Sequence, residues 1–141
     1  MGLDQYANTV TRRGQQLRAE MLTLKTNEER RAFSKENKIS DEVQQIQVWR
    51  KHANLNEWMN QLAVARGVVK DAIEFNCVDL VLTPQDIDDL DEAINSDDLP
   101  TGAGFFWGRS APEDRISDEE FIVKARRAFA RGDQVIYSCW W

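Results

Sequence analysis

Cysteine and histidine are nearly absent from this 141-residue chain: Cys77, Cys139 and His52 are all it has. The two cysteines form no CxxC pair, and one histidine with two distant thiols makes a poor zinc set, so no metal site is expected. Both thiols read as reduced and buried. Long apolar runs are missing too. None approaches the roughly 20 residues that a membrane helix needs, and the opening MGLDQYANTVTRR lacks the cationic-then-apolar pattern of a signal peptide. A cytoplasmic protein without membrane contact is expected. The glycine loops that cradle phosphates are also lacking. Gly102-x-Gly104 is followed by two phenylalanines and then Trp107, which stands where a dinucleotide fingerprint needs its third glycine, and no Gly-Lys-Ser/Thr follows. No calcium-loop spacing and no internal repeat is present, and no cofactor is expected.

What is present suits one domain: 42% of the residues are hydrophobic, enough for one core in a chain of this length. Charge is unevenly distributed. Residues 1–70 carry 12 Lys and Arg against 8 Asp and Glu, a balance of +4, while residues 71–141 carry 6 against 16, a balance of −10. An acidic half repels a phosphate backbone and can imitate one, so direct nucleic-acid binding is not expected and mimicry is one reading. The other is a set of solvated faces that keep a small protein in solution.

Periodicity supplies the elements. Leu3, Tyr6 and Val10 suggest a short N-terminal strand. Residues 14–37 are rich in helix formers and should be helical with a break near Thr26 and Asn27. After a connector at 37–41, a helix is expected from about Asp41 through Arg66, restarting near Asn54 and ending at Gly67. FNCVDLVL reads as a β-rich run. Thr83, Pro84 and Asp86 then start a helix with Ile87, Leu90 and Ile94 inward and Asp88, Asp89, Asp91 and Glu92 outward. LPTGAGFFWG reads as a loop leading into a short aromatic strand. Ser117 and Glu120 have the spacing of a capping box for a last helix, and DQVIYSCWW as the terminal strand. The expected architecture is α+β: a single domain with three or four helices on a small, mostly antiparallel sheet.

The segment VWRKHANLNEWM, residues 48–59, is the candidate site. Read as a helix, it would bury Trp49 and Met59 with Leu55 or His52, leaving Arg50, Asn54 and Glu57 on another face. Two tryptophans beside amides can be a satisfied core. The functional alternative, less favoured than core, is a ligand-binding pocket of Trp49, Arg50, Lys51, His52, Asn54, Trp58 and Phe106, in which aromatic planes stack a flat ligand while Arg50 and Lys51 neutralise an anion. His52 has no nucleophile close in sequence, although Cys139 could approach it in the fold, and no catalytic set is expected.

WRKHANLNEWM, EFNCVDLVLTPQDIDDLDEAI, LPTGAGFFWG and the closing YSCWW, in that order, resemble a family of small proteins encoded by tailed phages, cyanophages among them, and by some bacteria. In that family a WRKH-x-N-L-H-x-WM segment precedes an FNC segment, a leucine-rich helix, an LP…GFFFG loop and an aromatic strand ending in Trp. The resemblance spans about residues 42–141, with residues 1–40 a variable strand and helical extension. This chain departs from the pattern at Asn56, where histidine is common, and at Trp107, where phenylalanine is common. Members are sometimes labelled phosphoglycerate kinase. Such kinases are two-domain enzymes several times longer, with nucleotide loops absent here. The resemblance implies a small phage accessory protein. It is expected to bind a host protein or a small anionic ligand without turning it over; the alternative is an enzyme acting on a phosphorylated or nucleotide-like substrate, with Arg50, Lys51 and His52 as anion clamp and acid.

Overall fold

Period-two alternation organises the N-terminus as expected: in β1 (Asp4–Val10), Gln5, Ala7 and Thr9 are buried while Asp4, Tyr6 and Asn8 are half-buried. In this computed structural model, which describes residues 2–102 and 108–141, β1 leads into α1 (Arg12–Leu22) and α2 (Asn27–Glu36). The hydroxyls of Thr11 and Thr26 cap these helices, accepting from Gly14 N and Glu29 N. The second cap divides the 14–37 run, because an N-cap needs extended backbone, here φ −114° and ψ 155° at Thr26, which a continuous helix does not contain.

The next segment departs from the sequence reading. Instead of a helix from Asp41, a short 3-10 turn (Ile39–Glu42) leads into β2 (Val43–Arg50), then a left-handed residue at Lys51 (φ 59°), then α3 (Ala53–Ala65). Gln44, Gln45 and Gln47 are good helix formers in isolation. Antiparallel pairing with β1 along the whole strand overrides that preference. Gln47 and Trp49 point into the core side, where Lys124 Nζ donates to Gln47 Oε1 at 2.9 Å. A register shift opposite Ala7 and Asn8 interrupts the alternation further.

β3 (Leu80–Leu82), α4 (Pro84–Asn95), α5 (Asp114–Arg131) and β4 (Gln134–Trp140) complete a four-stranded antiparallel sheet in the order β2-β1-β4-β3. The α+β single-sheet architecture is the one expected, its fifth helix arising from the break at Thr26. α4 begins as expected, with a reciprocal cap between Thr83 and Asp86, Pro84 in the first turn, and Ile87, Leu90 and Ile94 buried. α5 does not. It starts at Asp114, three residues before Ser117, and Asp118 turns inward instead of lining the first turn of a solvated helix. One sheet face, carrying Ala7, Trp49, Leu80, Leu82, Val135 and Tyr137, packs with α3, α4 and α5 into the core. Both sheet edges carry a cation on a backbone carbonyl: Lys124 Nζ donates to Ile46 O (2.9 Å) on β2, and Arg66 Nη1 to Val81 O (3.1 Å) on β3. Among the described residues, no helix is long and apolar enough to cross a membrane.

Candidate functional site

The turn between β2 and α3 is held by β1. Lys51 N donates to Leu3 O at 2.8 Å, and the buried amide of Gln5 grips His52 by its backbone, accepting from His52 N (2.9 Å) and donating to His52 O (3.1 Å). Gln5 also donates to the Tyr137 hydroxyl (2.9 Å), which donates to Asn56 Oδ1 (2.7 Å). Burial, with the thiol of Cys139 nearby, pushes the Tyr137 hydroxyl well above its usual range, against the opposing effect of the Gln5 bond. It therefore stays a donor. Asn56 is the acceptor that closes this chain of bonds.

The ring of His52 is fixed at both nitrogens. Nε2 lies 2.8 Å from Asp118 Oδ2, and Asp118 Oδ1 accepts from Trp49 Nε1 at 3.0 Å. A carboxylate accepts, so the arrangement suits Nε2 as the donor to Asp118, and in the tautomer that leaves Nδ1 unprotonated that nitrogen can accept from Ser110. Ser110 Oγ lies 2.6 Å from Nδ1 and also accepts from Asn54 N at 2.9 Å. With that amide on one oxygen lone pair, the serine O–H is free to donate to Nδ1 when that nitrogen is unprotonated. The Asn54 N–H is one of the orphan amides of α3, which His52 as N-cap does not satisfy with its side chain. Ser110 takes that role from another segment of the chain. Asp114 stands on the same side of the ring, with Oδ2 3.6 Å from Nδ1 and accepting from Ala111 N at 2.7 Å.

Loop and helix meet without slack at Gly102. Its N–H donates to Asn54 Oδ1 at 2.9 Å, and a Cβ there would sit 2.2 Å from the carbonyl oxygen of Ala53, so only glycine fits. Beside this junction lies a cavity of about 540 Å³ whose polar wall includes His52, Asn54, Ser110 and the carboxylates of Asp97, Asp114 and Asp118. Ile94 and Leu99 give it an apolar side. Among the described residues of the wall the arginine is Arg115, engaged by Glu119 at 3.1 Å.

Of the residues singled out from sequence, His52 and Asn54 line this cavity. Trp49 is buried in the core, edge-on to Phe121 at 5.1 Å and 78°, with its indole N–H on Asp118. Trp58 is half-buried against the core. Arg50 is exposed at the end of β2, 3.8 Å from Asp4, and Lys51 is exposed on the turn. Phe106 and the aromatic strand expected around it lie outside the described residues. Cys139 does not serve His52: its thiol is directed at Phe75 O (3.7 Å), and burial first, then Cys77, pushes its pKa up to about 12. Cys77, expected to be buried, is exposed. Among the described residues no group of His, Cys, Asp and Glu could hold a metal ion.

Sequence reasoning missed Ser110, Asp114 and Asp118. Ser110 sits in a loop 58 residues from His52, and Asp118 lies within what reads as a capping box 66 residues away. The usable signal was Asp118, Phe121, Ile122 and Ala125, whose three-and-four spacing places the aspartate on the buried face of its helix. Comparison with known protein families, curated proteins and solved structures finds no match to this chain.

Proposed function

We propose that this protein binds a small molecule in the cavity beside His52, and that the ligand is a compact organic cation with an apolar body. The observation that supports this most is the balance of the wall among the described residues, where Asp97 and Asp114 stand against one arginine already engaged by Glu119, while Asp118 is buried on Trp49 and His52. Ammonium or guanidinium groups would find acceptors there, and Ile94 and Leu99 would take the apolar part. A small anion, which Arg50 and Lys51 suggest in the sequence, has less to support it: both residues stand on the outer surface and the wall would repel it. The resemblance to phage proteins supports an accessory role in an infected host, where such a protein would sequester or sense its ligand.

Thermal-shift and calorimetric titrations with organic cations such as agmatine, spermidine and choline, set against carboxylates and phosphates of like size, test the reading. Binding of at least one cation is expected, weakened about tenfold or more by Asp114→Asn and by raised salt. Stabilisation by anions alone would overturn it.

A further inference from the structure

We infer that Ser110 is a nucleophile, and that the cavity performs acyl transfer on a carboxylic ester of an amine-bearing compound. This rests on the cation-binding reading for its substrate class and on separate geometry for its chemistry. Nucleophilic catalysis needs a hydroxyl, a base to take its proton and a group that fixes the base. Ser110 Oγ at 2.6 Å from His52 Nδ1, and His52 Nε2 at 2.8 Å from Asp118 Oδ2, supply those three in sequence. The nitrogens are used in the reverse order from the Ser-His-Asp proteases, which changes the approach of the ring and leaves the proton transfers the same.

The surroundings match the task. His52 and Asp118 are 3% and 2% exposed, so the ring cannot turn away and the carboxylate cannot drift into water, while Ser110 borders the cavity. Trp49 Nε1 holds the second oxygen of Asp118, making it the positioning residue for the imidazole. The Asn54 amide at 2.9 Å from Oγ belongs to the N-terminal turn of a 13-residue helix, whose dipole favours negative charge on that oxygen. Asp114, 3.6 Å from Nδ1, adds a carboxylate that stabilises the imidazolium as it forms and draws a substrate ammonium next to the serine.

The reaction conserves its atoms and charges. Ser110 Oγ adds to the carbonyl carbon as its proton passes to His52 Nδ1, and the tetrahedral adduct collapses with loss of the alcohol, which leaves with that proton. Water then adds to the acyl group on Ser110, giving a proton to Nδ1. His52 returns that proton to Oγ as the carboxylic acid departs.

The whole wild-type chain, treated with diisopropyl fluorophosphate and digested for mass spectrometry, tests this without any variant. A diisopropylphosphoryl adduct on Ser110 is expected in the folded protein and is expected to vanish in guanidinium chloride. Asp118→Asn, compared under conditions where it is folded by circular dichroism, should slow labelling by orders of magnitude, as removal of the orienting carboxylate does in serine hydrolases, about 10⁴-fold. A Ser110 that serves only as a cap for α3 would give no adduct in the folded chain, or one formed equally fast in Asp118→Asn, and either result overturns the inference. If a cation binds and Ser110 stays unlabelled, the catalytic inference alone falls. If Ser110 is labelled and no cation binds, the nucleophile stands and the substrate class falls.

Discussion

Two acidic stretches, residues 86–98 and 113–120, look alike in sequence and differ in the fold. In the first, Asp88, Asp89 and Glu92 stand exposed on α4, and Arg126 reaches across from α5 to Asp88 (3.1 Å) and Asp91 (3.0 Å), its own pKa raised by those bonds. In the second, Asp118 is sealed against the core with a tryptophan on one oxygen and a histidine on the other. Each aspartate sits on a helix among other carboxylates. What separates them is the opposite wall: β2 and the turn after it bring two N–H donors that have lost their water, and a carboxylate is the acceptor that suits both. An acidic run therefore says little until the donors facing it are known.

The sharpest way to break this comparison is Asp118→Ala, which leaves the N–H groups of Trp49 and His52 buried without acceptors. At roughly 1–3 kcal/mol for each orphaned donor, a loss of about 3 kcal/mol in urea unfolding is expected; a loss below about 1 kcal/mol would show that Asp118 is no more than another surface acid. Alkaline pH probes the neutral side of the same core. The Cys139 thiol ionises near 9 when unfolded and is held up to about 12 when folded, so its contribution is complete below pH 9 and is lost as pH rises toward 12. The Tyr137 hydroxyl, raised from 10, acts in the same direction. The unfolding free energy should fall steadily above pH 9, on the order of 1 kcal/mol per pH unit at first, and Cys139→Ala should flatten that slope.

Asp86 sharpens the comparison from within α4, since it alone in that helix is a buried acid, paired with Arg66 and capping Thr83 N at 2.7 Å. Asp86→Ala should cost about 1–2 kcal/mol, the usual worth of such a cap, measured by thermal unfolding. Asp89→Asn, on the solvated face, should stay within about 0.5 kcal/mol of the parent. An effect as large as that of Asp86 would mean that the α4 face has a partner inside the fold.

These residues also show how far the sequence could be read. The start of α4 was legible because Thr83, Pro84 and Asp86 act within one turn of each other, and β4 because its alternation is local. The β2 segment was not. Its inward positions are Gln47 and Trp49, and a glutamine reads as an inward residue only once Lys124, 77 positions away, is seen to satisfy it. The site fails to show for the same reason. His52 was visible as a lone histidine, but its meaning lies in Ser110 and Asp118, brought to it by a loop and a helix that starts four residues earlier than its capping-box spacing suggests. Asn54 was visible too, though not its bond to Gly102, which depends on a loop approaching so closely that no side chain fits.

The cations on the sheet edges set a limit on growth. A strand with unpaired amides and carbonyls is a template for another strand, and a sheet with two such edges can extend indefinitely from chain to chain. Here Lys124 occupies the Ile46 carbonyl on one edge and Arg66 the Val81 carbonyl on the other. An incoming strand would have to displace a charged side chain from that carbonyl before it could add. Each edge of the four-stranded sheet thus carries a charge that works against the addition of a further strand.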